Sequence, residues 1–169
     1  MRKLLLLITG CFISFMSFGQ SKKLQFDFMV GINIPGASLD VNNNTGWRLG
    51  GALKYNINSR HTLHLLQLTR DKFQATWSYS EEKENEGGAN IHSLLTGYSF
   101  RASNRLSAGL NAGVGFCGTN RTNRVAKLGI NPVVSYKVVE GFSTDLGYLH
   151  FLGGHEDTQY FNFSFRYSF

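Results

Sequence analysis

Cysteine, proline and long apolar runs are all scarce in this chain of 169 residues. There are two cysteines, Cys11 and Cys117, and two prolines, Pro35 and Pro132. Cleavage after Gly19 would leave Cys117 alone, which excludes an internal disulfide. A secreted domain without disulfides is held by packing or by membrane. No stretch approaches the roughly 20 apolar residues of a spanning helix. No Gly-rich phosphate loop, nucleophile elbow or metal-ligand cluster is present. The basic residues are scattered, which does not support nucleic-acid binding.

The N-terminus carries a secretory pattern. Arg2 and Lys3 precede an uncharged, mostly apolar stretch, Leu4 to Phe18. Ser17-Phe18-Gly19 supplies small residues for cleavage before Gln20, so residues 1–19 read as a signal peptide and 20–169 as one domain. Ile8-Thr9-Gly10-Cys11 resembles a lipobox, but the apolar stretch before Cys11 is short and apolar sequence continues past it. Removing Arg2 and Lys3 from 17 basic residues leaves 15 against 11 acidic ones, a net charge of about +4.

Phe, Tyr and Gly are abundant, yet the mean hydropathy is slightly negative. That combination suits a barrel in which every second residue meets lipid. The last strand shows it most clearly. Phe161, Phe163, Phe165, Tyr167 and Phe169 share one face, and Asn162, Ser164, Arg166 and Ser168 the other. A bare aromatic edge of this kind invites aggregation in water.

Seven further segments alternate. The first runs from about Lys23 to Ile34, with Leu24, Phe26, Phe28, Val30 and Ile32 opposite Gln25, Asp27, Gly31 and Asn33. Val41–Gly46 reads as a polar loop, and Trp47–Ile57 sets Leu49, Leu53 and Tyr55 against Arg48, Ala52, Lys54 and Asn56. The third segment, His61 to Tyr79, slips at Leu65-Leu66, which predicts a bulge or a locally two-sided stretch. Beyond it Phe73, Ala75, Trp77 and Tyr79 alternate with Gln74, Thr76, Ser78 and Ser80. The fourth, Ala89–Phe100, leaves its lipid face open. Arg105–Cys117 and Val125–Val138 alternate well, with Pro132 an anomaly inside the latter because proline removes a ladder donor. Phe142–Phe151 is the seventh. Eight strands joined alternately by short turns and longer loops predict an all-β, antiparallel up-and-down transmembrane barrel, the last strand pairing with the first. A soluble eight-stranded periplasmic barrel is the structural rival.

The chain resembles the small eight-stranded outer-membrane barrels, the OmpX/OmpA-like porin superfamily and the Bacteroidota-type outer membrane β-barrel proteins. Ser17-Phe18-Gly19-Gln20, Asn90–Phe100 and the alternating Phe161–Phe169 end carry the likeness. It implies a bacterial outer-membrane location, with lipid and lipopolysaccharide as surroundings. It also implies that Phe163, Phe165, Tyr167 and Phe169 are read by the barrel-assembly machinery.

Alternation points Asp27, Arg48, Lys54, Lys127, Lys137, Asp145 and Arg166 into the lumen. Side chains just fill an eight-stranded interior, so an ion-paired plug is expected, with a small-ligand cavity as the alternative. Trp47, Trp77, Tyr79, Tyr98, Tyr148, Tyr160 and Tyr167 are expected in interfacial belts. His150, His155, Glu156 and Asp157 are polar loop residues that a metal would need to gather. Some eight-stranded barrels are lipid A deacylases with a serine two residues after a histidine; here Leu152 follows His150 at that spacing, so the nucleophile is missing. Glu81–Glu86 forms an acidic external loop. The expected function is non-enzymatic, without cofactor: a structural, adhesive or surface-interacting role through external loops that meet an extracellular ligand. Binding or transport of a small, hydrophobic molecule is the alternative, and lipid A modification the third.

Overall fold

Strand-forming alternation runs through every described part of the computed structural model, residues 23–36, 43–75, 89–119, 125–153 and 158–169. The elements are β1 (Leu24–Pro35), β2 (Asn43–Asn56), β3 (His61–Ala75), β4 (Ala89–Arg101), β5 (Leu106–Thr119), β6 (Val125–Val139), β7 (Phe142–Leu152) and β8 (Thr158–Ser168). Each pairs antiparallel with the next, and β8 pairs with β1, closing the barrel. Val30 sits between Leu49 and Phe165 in this seam, and Phe169 N–H donates to Phe26 C=O at 2.8 Å. Closure leaves no free edge, which answers the hazard of an aromatic terminal strand.

Three short connections, 57–60, 102–105 and 140–141, lie at one end, here the turn end. The longer connections form the loop end. The expected signal segment, residues 1–19, and the expected acidic loop Glu81–Gly88 lie outside the described residues, as do Trp77, Tyr79, His155, Glu156 and Asp157.

The outer surface is apolar. Leu128 is 69% exposed, Phe161 50% and Val30 47%, and they belong to a belt that circles all eight strands. Patches this large do not face water in a monomer, while Arg48, Asp71 and Lys54 are buried inside. This inside-out distribution rules against the soluble barrel and fits a transmembrane one.

Local departures have simple causes. β2 begins at Asn43, so part of the expected Val41–Gly46 loop is strand, entered through an irregularity between Asn44 and Gly46. The slip at Leu65-Leu66 is a bulge: pairing with β4 jumps from His64 to Gln67. Pro132 faces outward opposite Leu110, and the β6–β7 pairs skip Asn131 and Pro132, so its missing donor breaks the ladder only there.

Candidate functional site

The lumen is layered. At the loop end Phe73, Ile91, Leu95, Leu149, Phe151 and Tyr160 form a buried apolar cluster inside the barrel. Phe73 meets Tyr160 edge-on with ring centroids 5.1 Å apart. This layer corrects one expectation. Tyr160 is fully buried and shares the inward face of β8 with Asn162 and Ser164, so it does not belong to an interfacial belt. Phe73 also points inward, and its neighbours Arg70 and Lys72 point out, because the bulge reverses the parity of β3.

Beneath lies Asp71, with no solvent exposure. Arg48 grips it with two bonds, Nε to Oδ1 at 2.7 Å and Nη2 to Oδ2 at 3.1 Å. Tyr160 hydroxyl donates to Oδ2 at 2.7 Å, Asn33 Nδ2 to Oδ1 at 2.8 Å and Thr69 Oγ1 to Oδ2 at 3.1 Å. A forked guanidinium and three further donors satisfy the carboxylate as fully as its lone pairs allow. Lower still, His64 bridges Asn111 at 2.7 Å and Ser99 at 3.0 Å, and Asn111 Nδ2 donates to Gln67 at 3.3 Å. Asn131 Oδ1, Asn162 Nδ2 and Ser164 Oγ find no partner among the described residues. Ordered water commonly satisfies such groups.

Near the turn end a second ionic cluster joins Asp27, Lys54, Asp145 and Arg166. Lys54 Nζ lies 2.5 Å from Asp27 Oδ2, and Arg166 Nη2 donates to Asp145 Oδ2. Arg166 Nε lies 3.5 Å from Asp27 Oδ2, and Gln25 Nε2 donates to Asp27 Oδ1 at 2.7 Å. Asp27, Asp71 and Asp145 thus face Arg48, Lys54 and Arg166, so the buried lumen is electrically balanced. Below this cluster the barrel opens into a cavity of about 400 Å³ at the turn-end mouth.

Five of the seven expected lumen residues, Asp27, Arg48, Lys54, Asp145 and Arg166, are therefore buried inside in two ion clusters. The other two stand apart. Lys127 is half-buried near the loop end and donates to Thr158 Oγ1 at 3.1 Å. Lys137 is exposed on the rim of the mouth rather than buried, because β6 reaches past the point where the lumen closes. Asp71, His64 and the apolar layer were not anticipated. Phe163, Phe165, Tyr167 and Phe169 project outward, Phe163 half-buried and the rest exposed. Among the described residues no group of three metal-ligating side chains comes together.

No protein-family model matches the chain, and no curated protein matches it. Solved structures do. Ail, the attachment invasion locus protein of Yersinia pestis, in complex with the heparin analogue sucrose octasulfate, aligns with a TM-score of 0.60 at 16% identity, covering 87% of this chain and 99% of Ail. The N-terminal β-barrel domain of Pseudomonas aeruginosa OprF gives 0.56 at 13% identity, covering 87% and 97%. A de novo designed transmembrane β-barrel gives 0.51 at 15% identity, covering 87% and 95%. At such identities the likeness is one of fold. It matches the small outer-membrane barrel kind.

Proposed function

We propose that this chain is a bacterial outer-membrane barrel that acts through its loop end, by surface interaction rather than by catalysis or conduction. The filled lumen carries the reading. Phe73, Phe151 and Tyr160 block the loop end, and the Arg48–Asp71 pair blocks the level beneath. Conducting barrels need about 16 strands to leave an aqueous channel. The apolar belt and the likeness to outer-membrane barrels support the location. Lipid and lipopolysaccharide would be its surroundings, and Phe163, Phe165, Tyr167 and Phe169 would serve the assembly machinery. One structural neighbour is named for attachment and invasion, which supports adhesion as the class of surface role. Leu152 in place of a serine argues against lipid A deacylation, and the packed aromatic layer argues against carriage of an apolar molecule.

The purified barrel in planar bilayers should give no discrete conductance steps. Bacteria displaying it should bind host-cell or glycan-coated surfaces, and deleting Glu81–Gly88 or Asn120–Arg124 should abolish binding while heat-modifiable gel mobility is kept. Discrete channel openings, or binding unchanged by both deletions, would overturn the proposal.

A further inference from the structure

We propose that the turn-end mouth of the barrel is an anion site that takes a phosphate group. The cavity there, about 400 Å³, is lined by Lys54, Arg60, Arg101, Arg105, Lys137 and Arg166 against one acidic side chain, Glu140. Its size falls at the small end of ligand cavities, roughly 300–1,000 Å³. The two floor cations are neutralised from beneath, Lys54 by Asp27 and Arg166 by Asp27 and Asp145. The four rim cations face one acidic side chain, Glu140, so positive charge is in excess there even with a carboxylate at Phe169.

The backbone holds these like charges together. Arg101 N–H donates to Arg60 C=O at 2.8 Å, and Lys137 N–H donates to Arg105 C=O at 2.7 Å. Each bond fixes two cationic residues side by side on adjacent strands or turns. Arg105 Nη1 donates to Tyr136 hydroxyl at 3.2 Å, which leaves its other N–H groups to turn elsewhere. On the floor Arg166 is nine-tenths buried, with Nε 3.5 Å from Asp27 Oδ2 and Nη2 donating to Asp145, so it closes the cavity from beneath and the rim residues carry the free charge. A cleft lined by one sign of charge, with low-dielectric walls, concentrates counter-ions. Arginine forks match phosphate oxygens in pairs. A phosphoryl group, −1 as a diester and up to −2 as a monoester, offers more acceptor oxygens to these forks than one carboxylate does. Such barrels place their short turns in the periplasm, so the group would come from a free phosphate compound there or from an inner-leaflet lipid headgroup. This site is at the opposite end from the loops, so it stands or falls independently of the surface role.

The test uses the barrel in maltoside micelles, which contain no phosphate, followed by backbone amide NMR at fixed ionic strength. Sodium pyrophosphate should shift the amides of Arg101–Arg105 and Gly141–Ser143 saturably below about 10 mM. The R101Q/K137Q variant, with R60Q/R105Q as the second pair should the first misfold, should bind about tenfold more weakly or worse. R70Q/K72Q, at the loop end, should bind as the wild type does. In phosphatidylcholine nanodiscs, adding phosphatidylglycerol distinguishes the sources. Shifts of the same amides that block the pyrophosphate response identify a headgroup site, and an undisturbed pyrophosphate response identifies a free-anion site. No saturable shift with either probe, or binding undiminished in the charge-neutralised pairs, would overturn the proposal.

Discussion

Replacing Asp71 by Asn removes one charge from the centre of the lumen and nearly nothing else. Asn is almost isosteric, so no cavity opens. Its oxygen can still accept from Asn33 or Arg48 Nε, but its amide nitrogen cannot accept from Arg48 Nη2, Tyr160 or Thr69. The two hydroxyls can rotate to become acceptors, so their loss is small. The dominant cost is electrostatic. Arg48 is 2% exposed, and its only ion-pair partner among the described residues is Asp71. Leaving a buried cation uncompensated costs about 3–5 kcal/mol. Asp71→Asn should therefore lower the free energy of unfolding by about that much, measured by reversible urea unfolding in thin-bilayer vesicles. Removing both charges, in Asp71→Leu with Arg48→Met, should recover most of the loss, since apolar replacement of a buried pair is often neutral or better. A single mutant within about 1 kcal/mol of wild type would refute the reasoning, because it would place the pair in water rather than in a dry core.

Phe151→Ala should cost about 3–5 kcal/mol in the same assay, the range for emptying a large aromatic from a core, and the barrel should still not conduct because the Arg48–Asp71 layer remains. Val30→Arg should destabilise the barrel by about 2–4 kcal/mol, the cost of a cation on the lipid face near the midplane, since Val30 is outward between Leu49 and Phe165. Deleting Phe169 removes one backbone bond to Phe26, so refolding stability should fall by only about 1 kcal/mol. Outer-membrane yield in cells, measured by immunoblot of membrane fractions, should fall several-fold; unchanged yield would remove the terminal-aromatic role.

What could be read in the sequence was parity, and parity fails where the chain slips. In β1, β2, β7 and β8 the alternation is unbroken around Asp27, Arg48, Lys54, Asp145 and Arg166, so each could be assigned inward. In β3 the bulge at Leu65-Leu66 moves the inward set from His64 to Gln67, Thr69 and Asp71. Counted straight from His64, Asp71 falls on the lipid face, so the most completely bonded carboxylate in the lumen was invisible until the bulge was placed. Tyr160 failed differently. Its parity with Asn162 was legible, but tyrosine near a strand end also suits an interface, and composition overrode position. The aromatic plug could not be read because apolar residues at loop-side strand ends suit lipid and core equally.

Residue size decides why the lumen is shut at one end and open at the other. Near the loop end Phe151 fits only because the facing inward positions of β5 and β6 are glycines. A Cβ on Gly115 would stand 2.2 Å from Phe151 Cε1, and one on Gly129 2.4 Å from the same atom. The ring fills space that two absent side chains leave. In the middle, a Cβ on Gly147 would lie 2.9 Å from Asn131 Oδ1 and 2.8 Å from Asn162 Oδ1, so amides take the room there. At the turn end the inward positions are small on several strands at once, Ser99, Ser107, Ser143 and Ser168, and the aromatics of the lining, Phe142 and Phe169, come from strand ends, Phe142 stacking on the outward Phe165. One small-against-large pattern therefore makes a plug where a large partner exists and a vestibule where none does. A molecule entering from the turn end would stop at the Asp27–Arg166 cluster, and passage would require both Phe151 and the Arg48–Asp71 pair to leave their places.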